Sequence, residues 1–184
     1  MLSRCRGFSL YELLITLGLA AVLLTLGVPS FAVIAAKNTQ DAEINALFHA
    51  VHQARKESIM RRKVASLCPT TDGRSCRRGK DWSTGWILFN NIDGDSPPAV
   101  DEGETILLWH RVAESARISA NRQSFTLRAT LRRATNGTLV VCDRAGRTPP
   151  KALVVSYTGR PRVALEAPDG SPYSCPDYVK QTTQ

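Results

Sequence analysis

Between Leu13 and Ala36 the chain carries 24 residues without one charge. As a helix rising 1.5 Å per residue, such a run is long enough to cross the roughly 30 Å hydrocarbon core of a bilayer. Any fold must give this segment apolar surroundings, either lipid or protein. Arg4 and Arg6 precede the run, and basic residues on that side favour a cytoplasmic N-terminus. Glu12 stands at the edge of the run. A carboxylate against lipid is costly, so it normally has a partner or a task.

The segment Gly7-Phe8-Ser9-Leu10-Tyr11-Glu12-Leu13-Leu14, behind a short basic leader, closely resembles the type IV pilin signature. The resemblance implies that a prepilin peptidase cuts between Gly7 and Phe8, removing residues 1–7, and that the Phe8 amine is N-methylated. It also implies that Glu12 is the assembly residue, paired with the Phe8 amine of a neighbouring subunit inside a filament. A lone buried charge is costly and a hydrogen-bonded pair is tolerable, so the pair sets register. Two alternatives stand beside this. One is a secretory signal peptide cut near Ser30-Phe31-Ala32, with an apolar region longer than such peptides use. The other is a plain single-span anchor. Neither accounts for Glu12.

Residues 8–36 are thus expected to form a transmembrane or filament-core helix, loosened or bent at Pro29. Residues 37–62 continue it as an amphipathic half. There Ile44, Leu47, Phe48, Val51, Ala54 and Ile59 recur at three- and four-residue spacing, with Glu43, Gln53, Arg55, Lys56 and Arg61 largely elsewhere. From about Ser9 to Arg62 such a helix is about 80 Å long. Residues 63–184 form the remaining unit, large enough for a modest core. Strands are expected at Val64–Leu67, Gly85–Phe89, Thr105–Trp109, Ser124–Leu127, Thr138–Cys142, Leu153–Ser156 and Arg162–Leu165. Asn136-Gly137 reads as a hairpin turn and Thr158-Gly159 as the last turn. An α+β fold follows, with an antiparallel sheet packed on the amphipathic half-helix. Trp82, Trp86 and Trp109 read as core aromatics.

Cys5 lies in the leader, and Cys68, Cys76, Cys142 and Cys175 remain. An even number in a domain expected outside the cytoplasm favours two disulfides. Of three connectivities, Cys68–Cys76 with Cys142–Cys175 is preferred. The absence of a Cys-x-x-Cys pair argues against zinc. The formal net charge is +8. From Arg111 to Leu165 there are eleven Arg or Lys against Glu114 and Asp143, a net of +9, whereas Asn90 to Glu104 is acidic. A basic surface suits acidic partners, nucleic acid or lipid head groups among them; the plain reading is a solvated basic face. Asp93, Asp95, Asp101, Glu102 and Glu104 read as turn-forming residues, with calcium as the alternative, although EF-hand spacing is absent. His49, His52 and His110 sit in no catalytic or metal motif, and no nucleophile, Walker or paired-carboxylate signature marks an enzyme or a cofactor site.

Leu67-Cys68-Pro69, Cys76, Asp81-Trp82-Ser83-x-Gly85-Trp86-Ile87-x-Phe89, Gly103-Glu104, Ser156-x-x-Gly159-Arg160-x-Arg162 and Cys175 resemble the minor pilins of the FimT/FimU group and their relative, the type II secretion pseudopilin GspH. The resemblance implies the type IV pilin fold, assembly with major and minor pilins, and a single-pass inner-membrane protein. Its C-terminal domain lies in the periplasm before extraction into a pilus, near the tip. Gly159-Arg160-Pro161-Arg162 is the sharpest candidate site. Gly159 permits a positive-φ turn, Pro161 stiffens it, and two guanidinium forks grip phosphate oxygens. FimT-like proteins use such a motif to bind DNA in natural transformation. Arg144, Arg147 and Lys151 are expected to add long-range attraction for double-stranded DNA. The alternatives are a GspH-like pseudopilin, or a minor pilin that primes assembly without DNA.

Overall fold

In the computed structural model, residues 9–128 and 134–175 are described; Gly7, Phe8 and the rest of the leader lie outside them. One helix, α1, spans Leu10–Arg61. Its N-terminus is capped by Ser9, whose Oγ accepts from the Glu12 amide at 3.2 Å. Glu12 lies in the first turn, where the helix dipole favours an anion. The helix continues through Pro29. Contacts divide the chain into two units, Met1–Ala35 and Ala36–Gln184.

In the first unit α1 contains a stretch long and apolar enough to cross a membrane, with mean hydropathy 2.3. Large apolar side chains stand exposed from Leu10 to Ile34. A helix apolar all round requires lipid or other helices as its surroundings. Thr16 and Thr25 return their hydroxyls to the carbonyls of Leu13 and Val22, both at 2.9 Å, so neither leaves a donor facing apolar surroundings.

In the second unit α1 buries Ile44, Leu47, Ala50, Val51 and Ala54. Ile59, expected on that face, is exposed instead; it lies in the last turn of α1. Among the described residues eight strands follow: β1 Ala65–Pro69, β2 Trp86–Asn90, β3 Ile106–His110, β4 Ala116–Ala120, β5 Phe125–Leu127, β6 Gly137–Asp143, β7 Lys151–Val155 and β8 Pro161–Ala164. They form two antiparallel four-stranded sheets, ordered β3-β2-β1-β5 and β4-β6-β7-β8, where one sheet was expected. The main core joins Leu47, Val51, Trp82, Trp86, Leu88, Phe125, Leu139 and Leu153. The other face of the first sheet is covered too, around Cys68, Ile87 and Phe89. This is why β1 and β2 are buried at every position.

Polar pins fasten α1 to both sheets. Glu43, expected on the polar face, is buried. It accepts from the Ala113 amide at 2.9 Å, and its Oε2 lies 2.8 Å from His110 Nε2. The His110 ring stacks on Trp86 at 5.0 Å. Gln40 donates to the carbonyls of Val141 and Pro149. Buried polar groups are tolerated when they are bonded in this way.

Disulfides join Cys68 to Cys76 and Cys142 to Cys175. Asn136-Gly137 is not a hairpin tip: Gly137 opens β6 and pairs with Val155. A Cβ there would lie 2.5 Å from Asn121 Oδ1, so close packing accounts for that glycine. Trp109, expected in the core, is 60% exposed on β3, at the edge of its sheet.

Candidate nucleic-acid interface

The turn between β7 and β8 is built by its own backbone. The Gly159 amide donates to the Ser156 carbonyl at 2.9 Å, and the Ser156 amide to the Arg160 carbonyl at 3.1 Å. Ser156 Oγ accepts from the Arg160 amide at 3.1 Å. Gly159 has φ 69°, a conformation that costs other residues. It is also packed in: a Cβ there would meet Leu127 Cδ2 at 3.0 Å and approach Ala134 and Arg55. The base of the turn is therefore seated on β5 and α1, while Arg160 and Arg162 are exposed. Pro161 opens β8, and Arg162 pairs with Val154 on that edge strand.

The remaining cations of the expected set are elsewhere. Lys151 begins β7 and Val155 ends it, a separation of roughly 14 Å at strand rise. Arg144, Arg147 and Lys151 thus lie toward the far end of the β6–β7 connection from the turn. Arg147 forks onto Asp143, Nε to Oδ2 at 3.0 Å and Nη2 to Oδ1 at 2.9 Å. Lys151 pairs with Asp41 of α1. Arg144 stays exposed beside a different groove. Among the described residues, Arg160 and Arg162 make no ion pair with an acid. Arg144, Arg147 and Lys151 therefore stand apart from the turn, whereas the Arg55 side chain of α1 packs near Gly159. The available signal for Arg55 was the basic close of α1, Arg55-Lys56 and then Arg61-Arg62-Lys63, which reads locally as dipole complement.

The Arg147 side chain, followed by its amide, holds the Asp143 carboxyl below the usual carboxylate range, against a desolvation cost. The same pairing raises Arg147. A carboxyl with a lowered folded pKa stabilises fully above its unfolded value, and that contribution fades as pH falls through the folded one. Asp143→Asn is therefore expected to lower the melting temperature at pH 7 and to converge on wild type at strongly acidic pH. Melting curves between pH 2 and 7 check this; a constant offset across the range contradicts it.

Oxygens of Asp93, Asp95 and Asp101 lie within 4.8 Å of one another, but the loop's own groups use the neighbouring carboxylates. Asp95 accepts from Asn91 and Ala99, and Glu104 from Ile92 and Asp101. The rings of His49 and His52 lie against Phe48.

A family model described as Type II transport protein GspH matches residues 43–159. The chain belongs to the GspH family. The match opens at Glu43, the buried pin of α1, and closes at Gly159; Arg160 and Arg162 fall just beyond it. No curated protein matches the chain. The minor pseudopilin EpsH from the type 2 secretion system of Vibrio cholerae superposes with a TM-score of 0.50 at 9% identity, over 67% of this chain and 94% of that one. At that identity the likeness concerns the fold: an N-terminal helix packed on antiparallel sheets. The type IV minor pilin FimU of Pseudomonas aeruginosa gives a TM-score of 0.48 at 20% identity, over 76% of this GspH-family chain and 98% of its own.

Proposed function

We propose that this chain is a minor pilin. Residues 1–7 are a leader removed by prepilin peptidase after Gly7, and Phe8 is the methylated new terminus. Residues 8–36 anchor the subunit in the inner membrane and then enter a filament core beside other pilins; residues 63–184 face the periplasm and later the filament surface, near its tip. The observation that carries this is Glu12, placed in the first turn of a helix that is otherwise uncharged as far as Ala36. Membership of the GspH family supports the same reading. Mass analysis of the mature N-terminus tests processing. The expected species begins at methylated Phe8, and Gly7→Ala leaves the leader attached; an unmethylated terminus near Phe31 would overturn the leader assignment in favour of a signal peptide.

The finer reading is that the domain binds double-stranded DNA through phosphate contacts and supports its uptake. Arg160 and Arg162 supply the forks, and the backbone-bonded turn positions them. Contacts of this kind read no base sequence. A few of them support about micromolar or weaker binding that falls steeply with salt, and linked subunits raise avidity. Gel-shift titrations of wild type and Arg160→Gln/Arg162→Gln at two salt concentrations test it. The double variant is expected to lose at least about tenfold in affinity, from two charge-assisted contacts, with its fold intact. Equal affinities would leave a minor pilin that primes assembly without DNA.

A pseudopilin of a type II secretion system is the second reading, favoured by the description of the matching family. Deletion separates the two: loss of surface pili supports the first, and retention of exoproteins in the periplasm supports the second.

A further inference from the structure

Trp109 is a large aromatic left 60% exposed, and its surroundings hold it there. The Cys68–Cys76 disulfide closes a short loop. Within it Asp72 accepts from the amides of Arg74 and Ser75 and from the hydroxyls of Thr70 and Ser75. The Gly73 amide donates to Thr70 Oγ1 at 3.0 Å. These bonds fix Gly73 at φ 71°, where a Cβ would lie 2.7 Å from Trp109 Cε2 and 2.9 Å from Nε1. The glycine backbone thus lies directly against the indole. The ring is a preorganised platform, and preorganisation removes part of the cost of binding.

Trp109 lines an open groove of about 740 Å³ together with Thr71, Asp72, Arg111, Glu114 and Arg144. Its formal charge is balanced, two arginines against two carboxylates, which disfavours a polyanion. Donors and acceptors are mixed around an apolar face. It is also separate from the arginine turn: β3 and β5 are opposite edges of one sheet, and Gly159 packs on β5.

We propose that this groove binds an uncharged saccharide chain, with a pyranose ring stacked by its C–H face on Trp109 and its hydroxyl or acetamido groups bonded to Arg111, Glu114 and Arg144. Sugars present an apolar ring face edged by groups that both donate and accept, which is the complement of this lining. An open groove admits a chain rather than requiring an isolated ring.

The chain has three tryptophans, and Trp82 and Trp86 are buried, so acrylamide quenching of the full-length protein reports on Trp109. In a detergent without a sugar head group, a hexamer of β-1,4-linked N-acetylglucosamine is expected to reduce quenching at least twofold and saturably. Glu114→Gln, which keeps the fluorophore, should weaken binding several-fold. Trp109→Ala should abolish the calorimetric signal of the sugar while lowering the melting temperature by no more than about 4 °C. Unchanged quenching at millimolar sugar, equal calorimetric binding by Trp109→Ala, or protection by an unstructured peptide or duplex DNA in place of the sugar each overturns the proposal.

Discussion

Replacing Trp82 with alanine is expected to lower the stability of the domain by about 4 kcal/mol, while the same change at Trp109 costs less than about 1 kcal/mol. Trp82 is fully buried, and its ring meets Phe125 edge-on at 5.8 Å. It packs the segment before β2 against β5, so truncation leaves a cavity inside the main core. A loss of that size is a large share of the 5–15 kcal/mol of an ordinary domain. Among the described residues, Trp82 Nε1 has no hydrogen-bond partner. Trp82→Phe therefore sacrifices volume but no bond and should retain more than half of the lost stability. Urea unfolding of the three variants checks the order. Equal losses at Trp82 and Trp109 would mean that the indole of Trp109 is part of the core.

Breaking Cys142–Cys175 by a double serine replacement is expected to cost about 4 kcal/mol, and breaking Cys68–Cys76 about 2.5 kcal/mol. These figures follow from the chain-entropy relation for loops of 33 and 8 residues. The larger loop also holds the C-terminal segment against β6, where Cys142 is buried, so its loss should free that segment as well as enlarge the unfolded ensemble. The smaller disulfide acts mainly on the loop under Trp109. Its removal should increase acrylamide quenching of that residue while leaving unfolding cooperative. Denaturant titrations of both double variants measure the two costs, and a reversed order would argue that local packing around Cys68 outweighs loop entropy.

The features legible in the sequence are the local ones. The uncharged run and the spacing of Ile44, Leu47, Val51 and Ala54 define α1 almost to its ends. Compact apolar runs locate seven of the eight strands within one or two residues, because those runs face cores on one or both sides. β4 escaped since Ala116-Arg117-Ile118-Ser119-Ala120 offers small residues and one arginine, and its strand character comes from pairing with β6. The split into two sheets is likewise a matter of long-range pairing. Three tryptophans look alike in sequence; what places one of them at the edge of β3 is the order of strands. Glu43 reads as solvated until the fold brings His110 and the Ala113 amide to it from about 70 residues away.

At the candidate interface, Gly159 and Pro161 announced the turn because φ preferences are intrinsic to those residues. Which cations accompany it was not local. Lys151 is paired by Asp41, 110 residues distant, and Arg55 arrives from α1. The Asp143–Arg147 pair was the exception. Its four-residue spacing was visible, yet it joins the last residue of β6 to the turn after it, and outside a helix such spacing carries no rule.

Incorporation into a filament is tested most directly by immunoblotting the sheared-filament fraction of cells that produce wild type or Glu12→Ala. Wild type should be present there in processed form. Glu12→Ala should be processed yet remain in the membrane fraction, because it lacks the carboxylate proposed to pair with the Phe8 amine of a neighbour. Recovery of Glu12→Ala in sheared filaments at the wild-type level would contradict the assembly role and, with it, the reading of this chain as a minor pilin.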